Sequence, residues 1–119
     1  MTEDLTLLTR ATAAGAVIEL TGDLDHHTAP QVRAALAGLD LRPGGQLVLD
    51  LEGVTFCDST GITVLIAARN HALAADATIA LAAVPERVNR IFRMVGLEQV
   101  FATHPTAQAA ETAWRPPAT

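Results

Sequence analysis

The stretch from Leu47 to Ala68, LVLDLEGVTFCDSTGITVLIAA, constrains this chain more than any other. Leu47, Val48, Leu49, Asp50 and Leu51 have the branched apolar content of a short buried strand, and Glu52-Gly53 reads as a turn. Val54 to Cys57 then leads to Asp58-Ser59-Thr60-Gly61, where the apolar spacing changes from strand-like to helical. Two hydroxyls therefore fall on the first turn of a helix, at the carboxyl end of a strand. In an open α/β sheet that rim is where ligands and partners are met.

The flanking sequence supplies the rest of such a sheet. Leu5 to Thr12 has strand composition, Ala13-Ala14-Gly15 a turn, and Ala16 to Leu20 a second strand, so an N-terminal hairpin is expected. Asp23-Leu24-Asp25-His26-His27 reads as a polar loop. Thr28 with Gln31 three residues on fits a capping box, Pro30 suits a first helical turn, and Val32, Ala35, Leu36 and Leu39 line one helix face. Arg42-Pro43-Gly44-Gly45 stops that helix. After the central unit, in which Ile62, Leu65 and Ile66 form an inward stripe, Ala74 to Ala77 reads as a turn and Thr78 to Ala83 as a strand of small residues. Pro85 opens a helix with Val88, Ile91 and Phe92 apolar and Gly96 as its stop. Val100-Phe101 reads as a brief edge strand, and Thr106 as the cap of a final helix ending near Trp114. Strands alternating with helices after a hairpin predict an α/β fold with a mixed, partly parallel sheet.

Length and composition narrow the function. A chain of 119 residues, half of them apolar and 18% charged, suits one domain over 1–119 with residues 115–119 frayed. The net charge is −5 and all eight basic residues are Arg, a balance that disfavours nucleic-acid binding. Arg87, Arg90 and Arg93 recur at helical spacing and read as a solvated face. The lone Cys57 cannot close an internal disulfide, and a reducing, cytoplasmic location is the default. No apolar run approaches the roughly 20 residues that span a bilayer, so no membrane partner is expected.

Ser59 has a bland reading as a helix cap, since Ser, Thr, Asp and Asn all serve there. Asp58 already fills that role, which makes Ser59 and Thr60 surplus to it. Gly61 costs roughly 1 kcal/mol of helix propensity relative to alanine, and its small size would let another surface approach. A phosphoryl group on Ser59 would add about 1.5 to 2 negative charges at a helix start, favoured by the dipole and opposed by Asp58, Asp23 and Asp25. The helix would survive, and the surface around it would change.

Sharper chemistries fit less well. A nucleophile elbow needs G-x-S-x-G, but Cys57 occupies the first position, and His71 lies too far along the helix; only His26 or His27 would remain for a hydrolase. The Asp23 to His27 cluster lacks the spacing of strong metal motifs and reads as a loop that touches a partner. Cys57 reads as a small core residue. No cofactor and no catalytic residue is expected.

Three stretches, LTGDLDHHTAP at 20–30, LDLEGVTFCDSTGITVL at 49–65 and PERVNRIFRMVGLEQVF at 85–101, resemble the STAS domains and, within them, the single-domain anti-sigma factor antagonists of bacteria. The resemblance implies a mixed sheet of four to five strands with about four helices. It also implies partner switching: the unmodified protein binds an anti-sigma factor and frees a sigma factor. That anti-sigma factor is a serine kinase of histidine-kinase-like ATPase fold, with ATP as its own substrate, and a serine phosphatase resets the switch. Carried over, Ser59 is the phosphoacceptor, preceded by Asp58, and Asp25 matches the aspartate of the loop before the first helix. Thr60 stands where relatives have a second serine and is a further candidate for modification. The expected docking surface comprises Asp23, Asp25, His26, His27, Thr28, Asp58, Thr60, Gly61 and Ile62, on a monomer. The alternatives are a STAS subunit of a stress-signalling or lipid-transport assembly without a sigma-factor target, and, ranked below it, a small hydrolase using Ser59.

Overall fold

The computed structural model describes residues 5–116. Five strands form one sheet in the order β1-β2-β3-β4-β5: β1 (Thr6–Ala11), β2 (Gly15–Leu24), β3 (Gln46–Cys57), β4 (Thr78–Ala82) and β5 (Ala102–His104). The β1/β2 pair is the expected antiparallel hairpin, and the pairs β2/β3, β3/β4 and β4/β5 are parallel. The four helices among the described residues are α1 (Ala29–Ala37), α2 (Ser59–Ala74), α3 (Glu86–Val95) and α4 (Ala107–Ala113). The mixed α/β architecture read from the sequence is present.

Alternation along the strands divides the core in two. Leu47, Leu49 and Leu51 of β3, with Ile18 and Leu20 of β2 and Leu81 of β4, share a core with Val32 and Leu36 of α1, Ile62 and Leu65 of α2, and Val88 and Phe92 of α3. Each fully buried Leu contributes about 1.5–3 kcal/mol, so this leucine-rich face carries most of the stability. The other face is smaller: Val17, Val48, Ala80 and Ala82 meet Ala110 of α4. A helix of seven residues has no stability of its own. Bonds to the sheet therefore hold α4: Gln46 Nε2 donates to the Ala110 carbonyl at 3.1 Å and Arg10 pairs with Glu111 at 3.0 Å. Just beyond it, Trp114 Nε1 donates to the Gly44 carbonyl at 3.0 Å.

Four local expectations need correction. First, Glu52-Gly53 is no turn: β3 runs unbroken for 12 residues, and its pairing with β2 slips between Glu19 and Thr21 and again between Gly22 and Asp23. Gly53 sits opposite Thr21, where an added Cβ would lie 2.6 Å from the Thr21 hydroxyl. A glycine inside a strand here marks a bulge. Second, β2 continues to Leu24, so Asp23 and Leu24 belong to a strand and the loop is shorter.

Third, the Thr28/Gln31 capping box does not form. Thr28 already has helical backbone angles and its side chain makes no cap bond, while Gln31 Nε2 donates to the Leu5 carbonyl at 2.7 Å. Fourth, Phe101 is a core residue whose ring stacks on Phe92 at 5.6 Å, and the edge strand starts one residue later, at Ala102. The Thr106 cap, which accepts from the Ala109 amide at 3.0 Å, and the Gly96 stop at φ 75° are as expected.

Candidate functional site

Parallel pairing brings the carboxyl ends of β2 and β3 to one rim of the sheet. Leu24 pairs with Cys57, so the loop after β2 and the start of α2 are neighbours. The Asp58 amide donates to the Leu24 carbonyl at 3.4 Å, and Thr55 Oγ1 donates to Asp23 Oδ1 at 3.1 Å. Both bonds tie the two strand ends together.

Asp58 caps α2. Its backbone is extended, and its Oδ1 accepts the Gly61 amide at 2.9 Å, satisfying one of the donors that a helix start leaves open. Ser59 is the first helical residue and is exposed; its carbonyl accepts from Thr63 Oγ1 at 3.0 Å. Among the described residues its own hydroxyl makes no hydrogen bond. Thr60 is half-buried.

Gly61 is buried, and the surface that approaches it belongs to this chain. A Cβ there would overlap the Leu24 carbonyl and lie 2.8 Å from Cys57 Sγ. Ile62, only 5% exposed, points into the core. These two residues position the turn and offer no side chain to a partner.

The loop after β2 is knotted around one carboxylate. Asp25 Oδ1 accepts the amides of His27 at 2.9 Å and Thr28 at 3.0 Å. Thr28 Oγ1 donates to the Asp23 carbonyl at 2.8 Å and accepts the Asp25 amide at 3.1 Å. Thr28 is thereby buried, 4% exposed, and acts as an internal brace. His26 and His27 are exposed on the loop, and Asp23, Asp25 and Asp58 are half-buried. Among the described residues no cluster of three or more His, Cys, Asp or Glu is placed to hold a metal ion.

Burial, with the Asp58 carboxylate adding to it, pushes the Cys57 thiol up from 9.0 to about 12. It stays protonated and unreactive at neutral pH, as the core reading requires.

Three residues at this rim escaped the sequence reading. Thr55 links the strands, Phe56 is 47% exposed, and Arg87 donates a hydrogen bond to the Thr55 carbonyl. The second slip in the β2/β3 register falls between Val54 and Phe56, where Thr55 and Phe56 are both exposed.

The family model described as "Mlab, STAS domain" matches residues 7–103, most of the chain. The chain belongs to the STAS domain family. An anti-sigma-B factor antagonist of Listeria monocytogenes is 31% identical over 83 residues, covering 70% of this chain and 73% of that one. A crystal structure of an anti-sigma factor antagonist from Mycobacterium paratuberculosis superposes with a TM-score of 0.75 at 29% identity, over 93% of this chain and 94% of that one. The Bacillus cell fate determinant SpoIIAA, solved in a phosphorylated form, shares the fold with a TM-score of 0.68 at 23% identity, over 93% and 99% of the two chains. In this STAS domain no helix among the described residues is long and apolar enough to cross a membrane.

Proposed function

We propose that this STAS domain is an anti-sigma factor antagonist switched by phosphorylation of Ser59. In the unmodified state its rim of Ser59, Thr60, Asp58 and the Asp23 to His27 segment captures an anti-sigma factor, which then releases its sigma factor. The anti-sigma factor is also the kinase, an ATPase of histidine-kinase-like fold, and a serine phosphatase restores the free hydroxyl. The exchange belongs to the cytoplasm, where ATP and sigma factors are found.

One observation carries this reading: Ser59 presents an exposed, unengaged hydroxyl on a helix turn that Asp58 alone caps. Esterifying it breaks no bond that holds the fold. It adds about 1.5 to 2 negative charges to a surface already carrying Asp58, Asp23 and Asp25. A partner fitted to the neutral hydroxyl then meets a desolvated charge it does not pair, which is costly. The antagonists of Listeria and Mycobacterium support the partner class, and a phosphorylated SpoIIAA on the same fold supports the modification.

The test uses the purified chain, the anti-sigma factor kinase of its source cell, and ATP. Mass spectrometry should locate one phosphate on Ser59, and calorimetry should show binding before modification and none after. Equal phosphorylation of a Ser59→Ala variant would move the switch elsewhere, Thr60 being the first place to look. Stable co-purification with other proteins and no phosphate transfer would favour the assembly-subunit reading.

A further inference from the structure

The rim has a second side, formed by α3, that differs in character from the acidic loop. Phe56, Cys57, Pro85, Glu86, Arg87 and Arg90 line an open cleft of about 620 Å³ there. Along α3, Val88 and Phe92 face the core, while Arg87, Arg90 and Met94 recur at i, i+3 and i+7 on the exposed side. Glu86, the acidic residue of this cleft, is held by Arg93 at 2.7 Å, and that bond keeps its carboxyl below the usual range. Arg87 spends one guanidinium nitrogen on the Thr55 carbonyl. Arg90 makes no hydrogen bond or ion pair among the described residues. A chain of net charge −5 thus shows a cationic stripe beside a ring that is 47% exposed.

Phe56 precedes Ser59 by three residues, a separation of roughly 10 Å at most along the backbone. A standard protein interface covers about 800 Å² per partner, a patch roughly 30 Å across. A protein that docks on Ser59 with an ordinary footprint therefore extends over Phe56 and the start of α3. Aromatic residues, Met and Arg are the types enriched in such contacts, and Arg and aromatics dominate their energetics.

We propose that the Phe56, Arg87 and Arg90 patch is the second half of the docking surface and seats an acidic segment of the anti-sigma factor, carboxylates on the guanidiniums and an aliphatic side chain on the Phe56 ring. This rests on the preceding reading of Ser59 and names what lies beside it. The two halves divide the work: the α3 patch supplies affinity that phosphorylation does not touch, and Ser59 supplies the switch. Met94, one turn beyond Arg90 along α3, lies at the margin of the footprint.

The experiment compares wild type with Phe56→Ala, Arg90→Glu and Met94→Ala, using the purified anti-sigma factor kinase of the source cell and ATP. Phe56→Ala and Arg90→Glu should each raise Kd and the KM for Ser59 phosphorylation about tenfold or more, with kcat within about twofold and thermal melting unchanged. The Arg90→Glu complex should also lose much of its salt dependence, and Met94→Ala should bind as wild type does. Wild-type Kd and KM in both of the first two variants would overturn this proposal and leave the Ser59 switch standing. A wild-type protein that neither binds the kinase nor accepts phosphate would overturn both.

Discussion

Gly61 stands against the Leu24 carbonyl so closely that no methyl group fits between them. This contact, between the first turn of α2 and the last residue of β2, sets the distance from Ser59 to the acidic loop. Gly61→Ala gains about 1 kcal/mol of helix propensity but forces backbone apart in a packed rim. Because the clash is with backbone, its cost should lie at the upper end of about 1–3 kcal/mol and win, with a net loss of about 1–2 kcal/mol in chemical denaturation. A stabilised variant would show that the rim is slack.

Asp58 and Ser59 should separate cleanly. Ser59→Ala removes a hydroxyl that bonds nothing, so stability should stay within about 0.5 kcal/mol, and the protein should remain locked in its binding form. Asp58→Ala removes the cap on the Gly61 amide and should cost about 1 kcal/mol. A larger loss from Ser59→Ala than from Asp58→Ala would reverse the assignment. Ser59→Asp should weaken capture, less completely than phosphate does, because it carries one charge rather than about two.

Thr28→Val keeps the shape of a side chain that is 4% exposed while deleting the oxygen that serves Asp23 and Asp25. The buried carbonyl and amide left behind should cost about 1–3 kcal/mol. Because the same bonds shape the loop carrying His26 and His27, affinity for the proposed kinase should fall as well.

Cys57 should make the protein lose stability in alkali. Its folded pKa, about 12, lies above the ordinary 9.0, so above the lower value the unfolded chain releases a proton that the folded chain retains. The contribution is full below about pH 9 and is lost progressively as pH rises toward about 12. Denaturation curves on either side of about pH 9 should show a steeper decline for wild type than for Cys57→Ala. Thiol-reactive reagents should label the native chain slowly and the unfolded one fast.

The parts of this molecule that were legible in the sequence depend on near neighbours. The Asp58 cap, the surplus hydroxyl at Ser59, the Gly96 stop and the apolar run that opens β3 all express preferences settled within a few residues. The bulge at Gly53 was not legible, since it exists only because β3 lies beside Thr21 of β2. The second slip, between Val54 and Phe56, was equally hidden, and it leaves Thr55 and Phe56 both exposed. Arg87 looked like one of three solvated cations because its acceptor, the Thr55 carbonyl, is 32 positions away in the chain. Thr28 fitted a capping pattern, yet in the interior a hydroxyl answers to whichever buried groups need it, and here those were behind it.

The Trp114 indole anchors the far end of the described chain to Gly44, just ahead of β3, whereas Ser59 lies just past that strand's other end. Twelve strand residues separate the two points, a span of roughly 35 Å. Anything joined after Arg115, whether a fluorophore, an affinity handle or a neighbouring module in a longer polypeptide, leaves from the opposite pole of the molecule. The protein can be tethered, pulled down or built into a fusion by that pole with Ser59 and the proposed docking rim left open.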